Sequence, residues 1–217
     1  MVDVRESLAR RATDHPRHAR RDASLPLSTP DEKDAAHHEI YWWLRSLPEA
    51  QARAVVAELA SAHNINPAAE HSDLVVSWDE LRELAKDPLV TIGAHTRGHY
   101  ALAKLSEGRA HAEMAESIAR VEKELGRPCR HFSYPYGCTQ SAGAREFRIA
   151  EALGLETAVT TQKRLLYPEN AHELTALPRL SLNGDFQDIR YVKALLSGVP
   201  FALMNTLNLY AGGRLPA

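Results

Sequence analysis

The chain has 217 residues, enough for one domain with a substantial core, and its hydrophobic and charged fractions of 44% and 25% are ordinary for a globular protein. A net charge of −2 argues against nucleic acid as a partner, and no apolar run is long enough to cross a membrane. The first residues lack the apolar core of a signal peptide, so the sequence as given predicts a cytoplasmic protein.

Residues 1–28 show no clean periodicity, and we expect a loop or disordered segment there. A helix is predicted next, because Thr29 is a good N-cap, Pro30 suits the first helical position and Glu32 completes a capping box. Two further helices are predicted after Pro48 and Ser77. These helices make residues 29–86 the helical part of a single domain that spans residues 29–217.

From residue 87 onward, short apolar strands alternate with helices. Strands are predicted at residues 89–94, 131–134, 157–160 and 179–182, and helices at 106–125, 144–153, 186–196 and 200–209. Such alternation predicts an α/β fold with a parallel sheet, whose loops after the strands gather at one edge and carry the active site. Only four strands are visible, and an open strand edge favours pairing with a second copy or another fragment.

Two histidines follow the first of these strands, in the sequence His95-Thr96-Arg97-Gly98-His99. Residues four apart lie on one face of a helical turn, and two neutral imidazoles on one face can bind one divalent metal ion. Because the chain contains 11 histidines, the spacing alone also fits a chance occurrence.

A turn motif, Pro135-Tyr136-Gly137, ends the second predicted strand, since proline cannot donate to a sheet and glycine tolerates a sharp exit. Alone, this is an ordinary strand end. The order His-Thr-x-x-His and then Phe-x-x-Pro-Tyr-Gly one β/α unit later resembles the second and third motifs of the polysaccharide deacetylases. The resemblance extends from about Ser77 to Leu182.

The resemblance implies a distorted β/α barrel that hydrolyses acetyl groups on sugars. It also implies a divalent metal ion, most commonly zinc, which the family holds with one aspartate and two histidines. His95 and His99 match the two histidines, and Thr96 matches the residue whose hydroxyl braces their loop.

The resemblance also implies how a substrate is held. Pro135, Tyr136 and Gly137 match the turn that lines one wall of the substrate groove, and the backbone N–H of Tyr136 would help to hold the developing oxyanion. Asn183 is placed in the same groove, just past the last predicted strand. Arg179 is a supporting residue, either by an ion pair near the site or in a structural role.

Three departures from the family pattern are visible. The first family motif, Thr-Phe-Asp-Asp-Gly, is absent, and in the family it supplies the catalytic base and the aspartate ligand. Ser133 stands where many members carry an arginine. Asn183 stands where the family usually has a histidine that protonates the leaving amine. We therefore expect the C-terminal part of a deacetylase, a partial β/α barrel with an N-terminal helical segment.

The sequence thus predicts a metal-dependent hydrolase that removes acetyl groups from a polysaccharide or aminosugar, acting on carbon–nitrogen bonds other than peptide bonds and incomplete in this chain. The alternative is a non-catalytic relative that binds a glycan or a partner protein. The predicted partners are an acetylated carbohydrate and a second copy or a missing N-terminal fragment, with neither nucleic acid nor a membrane span.

Overall fold

The computed structural model describes residues 25–66, 74–182, 184 and 187–203. The chain divides into two compact units, Met1–Ser77 and Trp78–Ala217. Most of the predicted N-terminal segment, Asn183, and the last predicted helix beyond Leu203 lie outside the described residues. The grouping of residues 29–86 and 87–217 into one domain stays a prediction.

The first unit contains helices α1 (Pro30–Ser46) and α2 (Glu49–Ala62). The capping box predicted at the start of α1 is present: the N–H of Glu32 donates to Oγ1 of Thr29, and the N–H of Thr29 donates to the Glu32 carboxylate. The α1 start is therefore fixed by local side-chain hydrogen bonds that the sequence alone reveals.

The second unit contains α3 (Trp78–Leu84), α4 (Glu107–Leu125), β1 (His131–Ser133), α5 (Ala144–Ala152), β2 (Thr157–Val159) and α6 (Ile189–Leu196). Ser106 caps the start of α4, and Gly126, at a φ of 66°, ends it in the left-handed conformation. The carboxylate of Asp188 accepts the N–H of Arg190, so α6 begins three residues later than predicted.

The sheet confirms the predicted parallel arrangement. Strands β1 and β2 pair in parallel, with Phe132 opposite Ala158. Single parallel bridges extend the pairing on both sides, from Ala94 to Phe132 and from Val159 to Leu177. Four chain segments therefore lie side by side in chain order, although only two strands are formed among the described residues and no closed barrel is seen there.

The predicted strand at residues 89–94 is wrong in extent, because only its last residue pairs with a neighbour. Its start is a turn, in which the Asp87 carboxylate accepts the N–H of Leu89 and the Asp87 carbonyl accepts the N–H of Val90. Leu89 is 92% exposed. Gly93 lies against the backbone of His131, and a Cβ on it would meet the His131 oxygen at 2.7 Å.

The predicted strand at residues 179–182 is also wrong, since pairing occurs two residues earlier. The N–H of Leu177 donates to Ala158, and the Leu177 carbonyl accepts the N–H of Thr160. A parallel ladder would continue with the N–H of Arg179 on the Thr160 carbonyl, but that N–H donates to the Gln162 carbonyl instead, so the pairing ends at Leu177.

The core of the second unit lies between the sheet and helices α4 and α5. Tyr134 is at its centre, 1% exposed, with its ring 5.2 Å from that of Phe132 and 5.4 Å from that of Phe147. Its hydroxyl donates to the Thr175 carbonyl at 2.8 Å, which satisfies the polar end of a buried side chain. Burial raises the pKa of Tyr134 above its usual range.

Within the described ranges, no helix is long and apolar enough to cross a membrane.

Replacing Tyr134 by Phe should lower the free energy of unfolding by about 1–2 kcal/mol, because the Thr175 carbonyl loses its buried donor. Urea unfolding checks this, with Tyr167→Phe as the control, since Tyr167 is 53% exposed and should change stability by less than about 0.5 kcal/mol. Equal losses in both variants would contradict the assignment.

The same variant tests the raised pKa. Above about pH 10 the unfolded chain releases the tyrosine proton while the folded chain retains it, so stability falls as pH rises, by at most about 1.4 kcal/mol per pH unit. We expect Tyr134→Phe to show a shallower decline above pH 10 than the unsubstituted protein. Parallel curves for the two proteins would show that Tyr134 titrates normally.

Candidate active site

The histidine loop, residues 95–99, begins where the sheet pairing ends. The N–H of Ala94 donates to the His131 carbonyl at 2.9 Å, and the N–H of Ser133 donates to the Ala94 carbonyl at 3.0 Å. These two bonds fix the chain against β1 immediately before His95. The loop therefore projects from the carboxyl end of the sheet, where active sites of parallel α/β folds form.

The loop is not the helical turn that the spacing suggested. Thr96 and His99 have φ values of 59° and 54°, in the left-handed region that non-glycine residues rarely adopt. The hydroxyl of Thr96 accepts the N–H of His99 at 2.9 Å and closes the loop.

The two imidazoles nevertheless come together, with ring centroids 4.8 Å apart and planes at 73°. Nδ1 of His95 lies 2.5 Å from the Ser133 carbonyl oxygen. A carbonyl can only accept, so Nδ1 carries the hydrogen, and Nε2 of the neutral ring retains its lone pair. This is the arrangement by which a second hydrogen bond orients a metal-binding histidine.

The Pro-Tyr-Gly turn lies beside the histidine loop. The N–H of Gly137 donates to the Pro135 carbonyl at 2.7 Å, which makes a three-residue turn with Tyr136 at its centre and a φ of 61° there. Turns of this kind with a positive central φ are rare and strained. Pro135 and Gly137 are buried, whereas Tyr136 is partly exposed and places its ring 5.0 Å from that of His99.

Thr161, which follows β2, holds the turn in place. Its hydroxyl donates to the Tyr136 carbonyl at 2.6 Å, and its N–H donates to the Gly137 carbonyl at 3.0 Å. A Cβ on Gly137 would meet the Thr161 nitrogen at 2.6 Å, so this position has room only for glycine. The turn is therefore fixed by the neighbouring strand as well as by its own residues.

Sequence reasoning missed Glu113, a buried glutamate on α4 that contacts the histidine loop. Its carboxylate accepts the N–H of Gly98 at 2.8 Å. The signal was present in the sequence, because Glu113 falls on the same helical stripe as Ala110, Met114 and Ser117, all of them buried. A charged residue on an apolar stripe needs a partner inside the protein.

The other predicted site residues are not joined to this group by the contacts described. Arg179 is exposed, and its backbone N–H donates to the Gln162 carbonyl at 3.0 Å. Asn183 lies outside the described residues. The structure thus brings together His95, Thr96, His99, Pro135, Tyr136 and Gly137.

Two histidine side chains at this site match the divalent metal ion that the resemblance implies. His95 and His99 fit two ligand positions, since their rings adjoin and Nε2 of His95 is left with its lone pair by the bond to Ser133. A catalytic zinc site usually has three protein ligands. Among residues 25–66, 74–182, 184 and 187–203, no group of three histidine, cysteine, aspartate or glutamate side chains could hold a metal ion.

Comparison with known families decides the family. The model of the family described as polysaccharide deacetylase matches residues 42–158, more than half of the chain and a span that includes both motif loops. The chain belongs to the polysaccharide deacetylase family. The match ends before Arg179 and Asn183, so it says nothing of their roles.

Several solved structures are similar to part of this chain. A Streptococcus pyogenes deacetylase, PplD, solved in complex with acetate, is 20% identical, with a TM-score of 0.50 over 55% of this chain and 50% of that one. Two others are the BpsB deacetylase domain from Bordetella bronchiseptica (20% identity, TM-score 0.45, 50% of this chain and 49% of that one) and the polysaccharide deacetylase BC0361 from Bacillus cereus (18%, 0.49, 56% and 37%).

The deacetylase-family chain spans half or less of the length of these three structures. At 20% identity, the likeness to the streptococcal deacetylase shows the fold alone. No protein of curated function matches the chain.

Replacing Gly137 by Ala should lower the free energy of unfolding more than Gly126→Ala. Both glycines have positive φ, 59° and 66°, so each variant carries a left-handed strain of about 1–2 kcal/mol. Only at Gly137 does the new Cβ meet another backbone, whereas nothing lies within 4 Å at Gly126. Urea unfolding of both variants measures the difference. Equal losses in the free energy of unfolding would show that the turn at Gly137 can shift to accommodate a Cβ.

Proposed function

We propose that this chain carries the histidine half of a metal-dependent deacetylase site that acts on acetylated amino sugars of a carbohydrate. The observation that supports this most directly is the convergence of three side chains from two loops. The His99 ring lies 4.8 Å from the His95 ring and 5.0 Å from the Tyr136 ring. Family membership supplies the reaction class, hydrolysis of a carbon–nitrogen bond.

In this proposal His95 and His99 bind the metal ion, which we take to be zinc. His95 would bind through Nε2, because Nδ1 donates to the Ser133 carbonyl. When bound, a divalent ion supplies Lewis-acid polarisation of the acetyl carbonyl and activation of water. Thr96 holds His99 in place, because its hydroxyl accepts the backbone N–H of His99.

The chain's own residues would bind and orient the acetyl group. Hydrolysis adds the oxygen of water to the acetyl carbon, breaks the bond to nitrogen and transfers a proton to the leaving amine. The backbone N–H of Tyr136 would donate to the carbonyl oxygen as negative charge develops on it. Pro135 and Gly137 shape the turn whose exposed surface is Tyr136, and Asn183 and Arg179 would contact the sugar.

The third ligand and the catalytic base complete the proposal from outside the described residues. Two carboxylates would serve these needs, one that binds zinc and one that accepts a proton from water. The single bridge at Ala94 leaves this side of the sheet without a further paired strand among the described residues. We propose that additional β/α units, from elsewhere in the protein or from another chain, pair here, extend the partial barrel and bring both carboxylates.

A second candidate function is favoured by the lack of a third metal-binding side chain among the described residues. A non-catalytic relative would use the Tyr136 surface to bind a glycan without chemistry. Its saccharide affinity would survive removal of metal, which separates it from the deacetylase.

The test is zinc binding and acetate release by the full-length protein, together with any chain that it assembles with, and an oligomer of N-acetylglucosamine is the substrate. Because each histidine supplies one of only two described ligands, His95→Ala and His99→Ala should each weaken zinc binding by at least about tenfold and abolish acetate release. Titration calorimetry and an acetate assay measure the two effects. His111→Ala, at an exposed position on α4, is the matched control and should change neither.

Three outcomes would contradict the proposal. Failure of the unsubstituted chain to bind zinc would exclude the metal site. Zinc binding without acetate release would show a metal site to which no base is supplied. Oligosaccharide binding that persists in a chelator and in His95→Ala, without acetate release, would establish the glycan-binding alternative.

A further inference from the structure

Glu113 is a buried carboxylate in the middle of α4, and the helix itself does not need a charged residue there. Its side chain is 3% exposed, and both carboxylate oxygens have partners: Oε1 accepts from Arg109 at 2.9 Å, and Oε2 accepts the N–H of Gly98 at 2.8 Å. A buried carboxylate is costly to desolvate unless it is paired and hydrogen-bonded. A residue of this kind in the middle of a helix therefore calls for an explanation outside the helix.

The helix makes Glu113 a rigid support. Its neighbours Ala110 and Met114 are fully buried in the core. The backbone of Glu113 therefore cannot shift without disturbing the packing of α4. A second link between α4 and the histidine loop, the ion pair between Arg97 and Glu116, is largely exposed. Exposed pairs contribute little, so Glu113 is the stronger of these two ties.

The loop needs such a tie because it is strained. Thr96 and His99 lie on either side of Gly98, and both adopt positive φ. A positive φ strains a residue that carries a Cβ, and the conformation persists only where the surroundings hold it. A charge-assisted hydrogen bond to the Gly98 N–H acts in the middle of the strained segment, next to His99.

We propose that Glu113 is the positioning residue of the histidine pair, which holds residues 96–99 in the strained conformation that brings the imidazoles of His95 and His99 together. It acts through the hydrogen bond from the backbone N–H of Gly98. This inference rests on the proposed function for its consequence, the metal affinity, but its geometric content stands apart from it.

The chain offers a matched control in Glu146. That glutamate is 2% exposed, accepts the N–H of Gly143 at 2.9 Å and pairs with Arg145, so it makes the same two kinds of contact. Its bond, however, closes the first turn of its own helix, α5, and it makes no contact with the histidine loop among those described. A purely structural role for Glu113 would make the two residues behave alike.

The experiment compares Glu113→Leu, Glu113→Gln and Glu146→Leu in the full chain. We measure zinc affinity by calorimetry, the hydrogen exchange of the Gly98 amide, and the nuclear Overhauser effect between the His95 and His99 rings. Glu113→Leu should lower zinc affinity at least about tenfold, expose the Gly98 amide to exchange and weaken the ring–ring effect. Glu113→Gln retains an oxygen acceptor and should restore the affinity to within about threefold.

Glu146→Leu should lower stability yet leave zinc affinity and the ring–ring effect unchanged. The inference is overturned if Glu113→Leu leaves the ring–ring effect intact, or if both leucine variants weaken zinc binding equally. If Glu113→Leu does not fold, Glu113→Asp withdraws the carboxylate from Gly98 but keeps its charge, and it should show the same loss of affinity in a folded protein.

The two proposals can fail separately. If the unsubstituted chain binds no zinc, the proposed metal site is wrong, and the exchange and ring–ring measurements still decide the role of Glu113. If zinc binds but Glu113→Leu leaves both the affinity and the ring–ring effect unchanged, the metal site stands and the positioning role is refuted.

Discussion

The backbone of β1 is the constraint on which the candidate site depends. One edge of this strand accepts the N–H of Ala94, donates to the Ala94 carbonyl and accepts the ring hydrogen of His95. The other edge pairs with β2, and the strand itself continues into the turn at Tyr136. Three residues of extended chain therefore determine where both loops begin, which explains how motifs some 40 residues apart come to share one surface.

Backbone strain is concentrated at this surface. Thr96, His99 and Tyr136 are three of the four non-glycine residues with positive φ among those described, the fourth being Asn64. Each is held by hydrogen bonds from its surroundings, through the Thr96 hydroxyl, the Glu113 carboxylate and Thr161. Strained residues held in this manner typically cluster at functional sites, since ordinary loops relax to conformations of lower energy.

The sequence predicted the helices better than the strands, and the reason is physical. Helix ends at Thr29, Ser106 and Gly126 are specified by residues within one turn of each other, so a local pattern reveals them. Strand ends depend on a neighbour that is distant in the sequence. The turn at Asp87 leaves one predicted strand with a single bridge at its last residue, and the bond from the Arg179 N–H to Gln162 ends the other pairing at Leu177, before the predicted strand begins.

The structure brings several of the predicted site residues together, but in a conformation that the sequence did not predict. The spacing of His95 and His99 suggested a helical turn, whereas their proximity arises from left-handed residues that no periodicity encodes. Glu113 was visible as a charge on an apolar stripe, but its partner, a backbone N–H of Gly98, has no signature in a sequence. Contacts with the main chain of a distant loop are the part that the sequence could not supply.

Gly93 gives this arrangement its direction. Its Cα lies so close to the His131 carbonyl that a methyl group would collide with the oxygen. Sliding the chain back by one position along β1 would bring the Cβ of Ala94 to that same place, and would also turn every following side chain to the opposite face of the sheet. Only glycine, which lacks a Cβ, fits at position 93. This requirement prevents the shift in register and thereby fixes the face of the sheet on which His95 lies.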